Sequence, residues 1–345
     1  IKFISIIRRI MMKISGRMMV SVFMVVVFAG LFPACSKNRK ESSGDKGPEV
    51  YRVAYISRTQ EDMFAAWVGN SLVKMANEKY SNIKVTVFDQ QNDPQKWMAL
   101  MDNCILEGYN AIVGPVVNVD AEDYIKRCRE KGIFFANITF YIDILDGLCA
   151  QVICDELDLG RAVGAKAAEE LPQNAKVVIL NGPAGIDPSI KRRAGFDEAL
   201  FSKRADVSIL DEQVANFQKS EALAKMDDWL QAYDRIDGVL SINDAMALGT
   251  VESIKSNGKS IKDFYIYGID GLGDACQAIL DGDLRASVQQ NAEEYARLTL
   301  DLCNRYFTGE IPVDYAGISS FKPLLVDRQN AQEMLDYLKA QGMVQ

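Results

Sequence analysis

The chain has 345 residues, of which 48% are apolar and 25% charged, a balance that excludes a disordered chain and a polytopic membrane protein. At about 100–200 residues per domain, this length allows two or three domains. The net charge of −8 and a pI near 4.9 argue against a general nucleic-acid binder. Histidine is absent, which excludes Ser-His-Asp triads, histidine-liganded zinc and histidine proton shuttles.

The N-terminal segment has the composition of an export signal. Residues 1–17 carry five basic side chains and no acid, and residues 18–34 carry no charge. This order predicts a secretory signal peptide over residues 1–34. The uncharged run of 17 residues is somewhat shorter than the ~20 that span a bilayer, and a membrane anchor helix is the alternative.

The junction after this segment resembles a bacterial lipoprotein processing site, because the small Ala34 stands directly before Cys35. The resemblance implies cleavage before Cys35 and acylation of its thiol. Residues 35–49 are polar and aperiodic, which predicts a flexible tether. Without residues 1–34 the chain keeps 34 basic against 47 acidic residues, so we expect membrane attachment through the lipid anchor only.

From residue 50 onward, strand-like and helix-like patterns alternate. Strands are predicted at 50–57, 83–88, 111–114, 132–138, 151–154, 176–182, 207–210, 237–242, 264–270 and 285–290. Helices are predicted at 63–79, from Pro94 with Asp93 as N-cap, and at 121–131, 158–171, 188–203, 219–232, 245–257, 273–281 and 291–308. About ten strands exceed one core of ~100–150 residues, so we expect two doubly wound α/β lobes with parallel sheets. Ligands of such sheets bind at the carboxyl ends of the strands, here in the cleft between lobes.

Motifs for catalysis or cofactor binding do not fit. The glycines of 268–274 have the wrong spacing for a dinucleotide fingerprint, and Gly258-Lys259-Ser260 is better explained as a helix end than as a P-loop. No C-x-x-C occurs, so no metal site is predicted. Cys149 and Cys154 flank one strand and could pair, although core thiols are the simpler expectation. We therefore expect no cofactor and no metal.

Several segments together resemble the periplasmic sugar-binding proteins of the ribose/galactose type, which have the type 1 periplasmic binding fold. The resemblance covers about residues 50–328, and its strongest piece is Leu-Ser-Ile-Asn-Asp-Ala-Met-Ala-Leu-Gly at 240–249. Further matching segments, each in the family's order, lie at 57–64, 155–160, 185–196, 267–271 and 287–290. The resemblance implies two lobes joined by a hinge of three crossovers, near residues 154–155, 290–291 and 318–320. The N-terminal lobe would comprise 50–154 plus 291–318, and the C-terminal lobe 155–290 plus 319–345.

The resemblance also assigns candidate ligand contacts in the second lobe. Asp270, Asn243 and Gln290 would meet sugar hydroxyls, and Arg192 would replace the family's cleft arginine. Phe217, with Phe64 from the first lobe, would supply flat apolar faces for the sugar ring. Each has a structural alternative. Asp270 could cap the next helix, Asn243 could be a turn residue and Gln290 an exposed hinge residue. Phe64 could pack in the core, and Arg192 could hold a structural partner in its helix.

The first lobe departs from the family pattern. Where a polar pair is usual after the fourth strand, this chain has Thr139-Phe140, with Asn137 just before it. Glu61, Asp62 and Met63 replace the commoner Asn-Pro-Phe of the first loop. An ordinary aldopyranose is therefore in doubt, and a modified sugar, a polyol, a furanose or a nucleoside-like ligand fits equally well. Glu61, Asn137, Thr139 and Phe140 remain candidate contacts.

The expected function is that of an exported, lipid-anchored solute-binding protein, monomeric, that delivers a small sugar-like ligand to an ABC-type permease. The alternative is a sensory subunit that presents the ligand to a membrane receptor or histidine kinase. An exported enzyme that uses Glu61 or Asp62 with Asp270 as a carboxylate pair is a third hypothesis.

Overall fold

Two six-stranded sheets, built largely from runs of β-branched and aromatic residues, organise the part of the chain that the computed structural model describes, residues 50–116, 120–139 and 141–342. All of these residues belong to one compact unit, 48–345. The predicted signal peptide, the lipidation site Cys35, the tether and Phe140 lie outside the described residues.

The strands of the first sheet are β1 (Tyr51–Ser57), β2 (Ile83–Asp89), β3 (Ala111–Gly114), β4 (Phe134–Thr139), β5 (Ala150–Cys154) and β11 (Ile318–Phe321). They are all parallel and lie in the order β2-β1-β3-β4-β5-β11. Strands β3 and β4 are buried along their whole length, as expected of parallel strands covered by helices on both faces.

The strands of the second sheet are β6 (Lys176–Asn181), β7 (Ser208–Val214), β8 (Gly238–Ser241), β9 (Tyr265–Asp270), β10 (Ala286–Gln289) and β12 (Leu324–Asp327). Their order, β7-β6-β8-β9-β10-β12, corresponds strand by strand to that of the first sheet. Strand β12 runs antiparallel to β10, whereas the other neighbours are parallel. In both sheets the strand order reverses beside the first strand of the lobe, which creates a switch point where a ligand can enter.

Ten α-helices lie in the described part of the chain. They are α1 (Met63–Lys79), α2 (Pro94–Leu106), α3 (Glu122–Glu130), α4 (Glu156–Glu170), α5 (Asp187–Phe196), α6 (Lys219–Ala232), α7 (Asp244–Ser256), α8 (Gly273–Asp281), α9 (Ala292–Phe307) and α10 (Ala331–Ala340). The predicted Asp93 cap is confirmed, because its carboxylate accepts from the Gln95 amide. Helix α5 continues as a π-helical turn over Asp197–Phe201. None of these helices is long and apolar enough to cross a membrane.

The chain passes between the lobes three times. The first two crossings follow β5 and β10, close to their predicted places. The predicted third crossing, near 318–320, is wrong, because β11 pairs with β5 of the first sheet as far as Phe321. The chain crosses at 322–323 and enters the second sheet at β12. The first lobe thus holds the first sheet with α1, α2, α3 and α9, and the second lobe holds the second sheet with the other helices.

Two clusters of buried apolar side chains hold the layers together. The larger one runs through both lobes and includes Tyr55 of β1, Tyr267 of β9 and Tyr295 of α9. The smaller one covers the other face of the first sheet and includes Trp97 and Met101 of α2. The two sheets are therefore rigid supports, and their strand ends fix the positions of the loops that form the cleft.

Candidate functional site

A small cavity lies between the lobes at the carboxyl ends of the strands, where the topology predicts a ligand site. Its volume is about 60 Å³. Both lobes line it, with Tyr55, Arg58, Asp62, Phe64, Ala65, Pro115, Thr139, Glu156, Pro188, Arg192, Phe217, Asn243, Asp270 and Gln290. Seven of the ten sequence-predicted contacts are in this set.

Asp270 is a buried acceptor of the cavity. It ends β9 with a positive φ of 135°, a conformation that a non-glycine residue seldom adopts, and only 5% of the residue is exposed. Its Oδ1 accepts a hydrogen bond of 2.8 Å from the Gln290 Nε2. Burial raises the pKa of Asp270 well above its ordinary value, while the Arg192 charge acts in the opposite direction. The structure thus holds an acceptor with strained backbone at the site, a combination often found where a ligand binds.

Arg192 projects from α5 into the same cavity and has a fixed orientation. Its Nε lies 2.5 Å from Glu156 Oε2, its Nη1 donates to the Ile242 carbonyl at 2.7 Å, and Nη1 lies 3.7 Å from Asp270 Oδ1. Arg192 therefore lines the cavity, which is its predicted position. It also has a buried structural partner, which was the alternative expectation.

Glu156 was missed by the sequence reasoning. It is the first residue of α4, directly after the cap Asp155, and is 2% exposed. Burial raises the pKa of Glu156, and the Arg192 charge lowers it in part. A buried arginine in an apolar setting requires a carboxylate partner, and this requirement was the available signal.

Asn243 and Phe217 form the wall of the cavity beside Asp270. Asn243 caps α7, with Oδ1 accepting from the Met246 amide at 3.0 Å, and its Nδ2 donates to the Phe217 carbonyl at 3.3 Å. Asn243 retains one N–H and one lone pair beyond these bonds, so the capping role and a ligand role are compatible. Phe217 has a φ of 62°, and a Cβ at Gly182 would stand 2.4 Å from its ring. Glycine at 182 is thus needed to seat the phenyl ring.

The first lobe contributes an ion pair that sequence reasoning did not assign to the ligand. Arg58 forms a short salt bridge with Asp62, and its Nη1 donates to Asn92 Oδ1 at 3.0 Å. Its guanidinium carbon lies 5.4 Å from the ring centroid of Phe217, across the cleft in the second lobe. Asp62 also caps α1 by accepting from the Ala65 amide at 2.9 Å. Arg58 therefore closes one side of the cavity by a cation–π contact between lobes.

Two further first-lobe predictions are placed at the cavity. Phe64 lines it and packs edge-on against Tyr295, with 6.0 Å between ring centroids, so the cavity and core interpretations of Phe64 both hold. Thr139 ends β4 with a φ of 91°, an outlying value for a β-branched residue.

Asn137 and Glu61 do not line the cavity. Asn137 is fully buried at the level of Gly114, where its Oδ1 accepts from the Val116 amide and its Nδ2 donates to Gln151 Oε1, both at 3.1 Å. The Asn137 side chain is thus hydrogen-bonded to the backbone of Val116, just after β3. Glu61 is exposed and lines a separate groove of about 450 Å³, because it precedes the cap of α1 and its side chain lies toward solvent. Neither of these residues reaches the predicted site.

The cysteines of the described chain are free thiols, which bears on the predicted pairing of two of them. Cys149 and Cys154 are both free and buried, so the pairing alternative is wrong, and burial raises the pKa of Cys149 to about 11. No group of three or more potential metal-ligating side chains occurs among the described residues.

Known proteins resemble this chain in sequence and in fold. Residues 53–311 match the family model described as a periplasmic binding protein domain. A xylitol-binding protein of Mycolicibacterium smegmatis is 30% identical over 236 residues, which is 67% of this chain and 66% of that protein. The ribose import binding protein of Haemophilus influenzae is 27% identical over 274 residues, 77% of this chain and 91% of that protein.

A solved structure has the same fold. The crystal structure of a galactofuranose binding protein superposes with a TM-score of 0.77 at 24% identity, and the match covers 85% of this chain and 99% of that one.

Proposed function

Because this chain belongs to the family of periplasmic binding proteins, we propose that it is an exported, lipid-anchored protein that captures a small sugar or polyol between its lobes. In this proposal it delivers the captured solute to an ABC-type transporter. The relatives named for xylitol and ribose support a neutral, hydroxyl-rich ligand.

The observation that carries the proposal is the buried polar group around Asp270. A carboxylate acceptor, the Asn243 amide, the Gln290 amide and the Arg192 guanidinium converge on one cavity that the Phe64 and Phe217 rings also line. Sugar hydroxyls both donate and accept, and the less polar face of a sugar or polyol packs on aromatic rings. Each component of this cavity thus has a counterpart in a polyhydroxylated ligand.

The small size of the cavity narrows the proposed ligand. A cavity of about 60 Å³ favours a pentose, a furanose or a short polyol over a disaccharide. Asp62 is neutralised by Arg58, and Glu156 by Arg192. The charges of these two pairs are thus compensated within the protein, which favours a neutral ligand.

A thermal-shift panel tests the proposal. The purified protein is heated with xylitol, D-ribose, L-arabinose, myo-inositol, D-allose and adenosine in turn. A compound at 100 times its Kd adds about 2.7 kcal/mol of stability, which raises Tm by several degrees. We expect one or more of the small polyols or pentoses to stabilise the protein. Stabilisation by adenosine alone, or by none of the panel, would contradict the proposed ligand class.

The lipid anchor has its own test. When the chain is expressed in a bacterium fed with labelled palmitate, we expect label on the protein and partition into the detergent phase. A Cys35→Ala variant should lose both properties. Equal labelling of the Cys35→Ala variant would contradict acylation at this residue.

A further inference from the structure

Tyr295 lies where the three chain crossings meet. Its hydroxyl accepts from the Cys154 amide at 2.9 Å, immediately before the first crossing. The same hydroxyl lies 3.4 Å from the Oε1 of Gln290, which stands at the second crossing. Its ring packs edge-on against Phe321, with 4.8 Å between centroids, immediately before the third crossing. One side chain of α9 thus contacts the chain at each place where it leaves or enters a lobe.

The same side chain also touches the walls of the cavity. Its hydroxyl donates to the Thr139 carbonyl at 2.6 Å, and its ring meets the edge of Phe64 at 6.0 Å. Both of these residues line the cavity from the first lobe. Through Gln290 the contact extends into the second lobe, because the Gln290 Nε2 donates to Asp270 at 2.8 Å.

We infer that Tyr295 is the positioning residue that couples occupancy of the cavity to the angle between the lobes. The inference rests on the proposed function, because it assigns the coupling to the same ligand site. Its hydroxyl has a single proton and two acceptors, the Thr139 carbonyl of the first lobe and the Gln290 amide oxygen, which is bonded to the second lobe.

A change in the lobe angle must alter at least one of these contacts, since the two acceptors are anchored in different lobes. Tyr295 is fully buried, so water cannot replace a lost hydrogen bond without a rearrangement. A ligand that holds Asp270 and Phe64 in place fixes Gln290 and the Tyr295 ring at the same time. In this way contacts made in the cavity restrict movement at all three crossings.

The direct variant is Tyr295→Phe, with Tyr306→Phe as its matched control. Tyr306 lies on the same helix and donates to the Gly132 carbonyl at 2.7 Å, a bond within the first lobe. Both variants lose one tyrosine hydroxyl of α9, but only Tyr295→Phe affects the crossings. Phe321→Leu, which removes the ring contact at the third crossing, is a second variant should Tyr295→Phe fail to fold.

The measurement is small-angle X-ray scattering of each protein, without ligand and with the panel compound that stabilises it most. We expect ligand-free Tyr295→Phe to have a larger radius of gyration than the wild type, and its compaction on addition of the compound to be reduced. We also expect its affinity to fall about tenfold. Tyr306→Phe should match the wild type in all three respects.

Equal radii of gyration for Tyr295→Phe and the wild type, both with and without the compound, would overturn the inference. So would an equal effect of Tyr306→Phe, because the effect would then reflect general destabilisation of α9. If no panel compound binds the wild type, the proposed ligand class fails, whereas the ligand-free comparison still decides the role of Tyr295.

Discussion

The ends of β4 and β9 occupy equivalent places in the two sheets, because each strand lies between the third and fifth strands of its own lobe. Both end in a residue of positive φ at the cavity, Thr139 at 91° and Asp270 at 135°. The chemistry at the two places differs, since the first lobe presents a threonine and the second a buried carboxylate. The two strand ends thus share their backbone geometry, but only the strand of the second lobe ends in an ionisable residue.

The same contrast extends to the surroundings of these residues. Among the described residues, each carboxyl with a raised pKa lies in the second lobe, namely Glu156, Asp187, Asp244 and Asp270. The first-lobe ion pair at the cavity, Arg58 with Asp62, keeps 14% of each side chain exposed, against 5% and 2% for Arg192 with Glu156 in the second lobe. We therefore expect the second lobe to supply the buried part of the recognition surface, and the first lobe to supply a more solvent-exposed part.

The largest effect we expect is on stability, from Glu156→Ala in the second lobe. Removing this carboxylate takes away the closest partner of the buried Arg192 and leaves only Asp270 at 3.7 Å, so the free energy of unfolding should fall by about 3–5 kcal/mol. Asp62→Ala in the first lobe removes a more exposed pair and a helix cap, and should cost about 1–2 kcal/mol. Urea titrations of both variants measure the two values. A greater loss from Asp62→Ala than from Glu156→Ala would break the comparison between lobes.

The next effect is on ligand affinity, from Asp270→Asn. Asparagine preserves the shape of the side chain but replaces one acceptor oxygen of the carboxyl by an NH2 donor, so we expect binding about 100-fold weaker. The measurement is isothermal titration calorimetry with the panel compound that binds. Glu61→Gln is the control, because Glu61 is exposed and outside the cavity. An Asp270→Asn affinity within twofold of the Glu61→Gln value would remove Asp270 from the site.

A pH effect follows from Asp244, which is fully buried and accepts from the Ser287 hydroxyl at 2.6 Å. Burial raises the pKa of Asp244 from 3.8 to about 6. Between these two pH values the folded protein holds this proton more tightly than the unfolded chain. Stability from this group is therefore present at low pH and is lost as pH rises, with a slope of up to about 1.4 kcal/mol per pH unit.

The test of this pH effect is the difference in unfolding free energy between wild type and Asp244→Asn from pH 4 to pH 7. We expect the wild type to lose stability relative to the variant as pH rises toward 6. A difference that is independent of pH, or that changes in the opposite direction, would show that Asp244 is ionised throughout this range.

The smallest effect we expect is from Arg58→Gln in the first lobe. The variant loses the cation–π contact with Phe217 and the pair with Asp62, both partly exposed, so the affinity should fall about fivefold. The same calorimetric titration measures it. A loss as large as that of Asp270→Asn would mean that the first lobe contributes as much to recognition as the second.

The fold could be predicted because its signals are local. Ten runs of strand-like residues separated by amphipathic segments predict βαβ units, and the helices at 219–232 and 273–281 agree with the structure at both ends. Strands β11 and β12 were missed, since each has only four residues, too few to show the alternation that marks a strand. The third crossing was misplaced for the same reason.

The candidate site could be predicted best where a residue stands at or just after the end of a strand at the cleft. Asp270 ends β9, Asn243 and Gln290 follow β8 and β10 within two residues, and the structure brings all three together. Asn137 fails because it stands two residues before the end of its strand, and only the three-dimensional path of the loop after β3 reveals that Val116 uses its side chain. Glu156 was missed because its significance depends on a partner 36 residues away in the chain.

The most direct test of the central claim is a crystal structure of the protein with the panel compound that binds most tightly. We predict electron density for the ligand between Phe64 and Phe217, with a hydroxyl within hydrogen-bond distance of an Asp270 carboxylate oxygen. Density in the groove beside Glu61, or contacts confined to first-lobe side chains, would contradict the assignment of recognition to the second lobe.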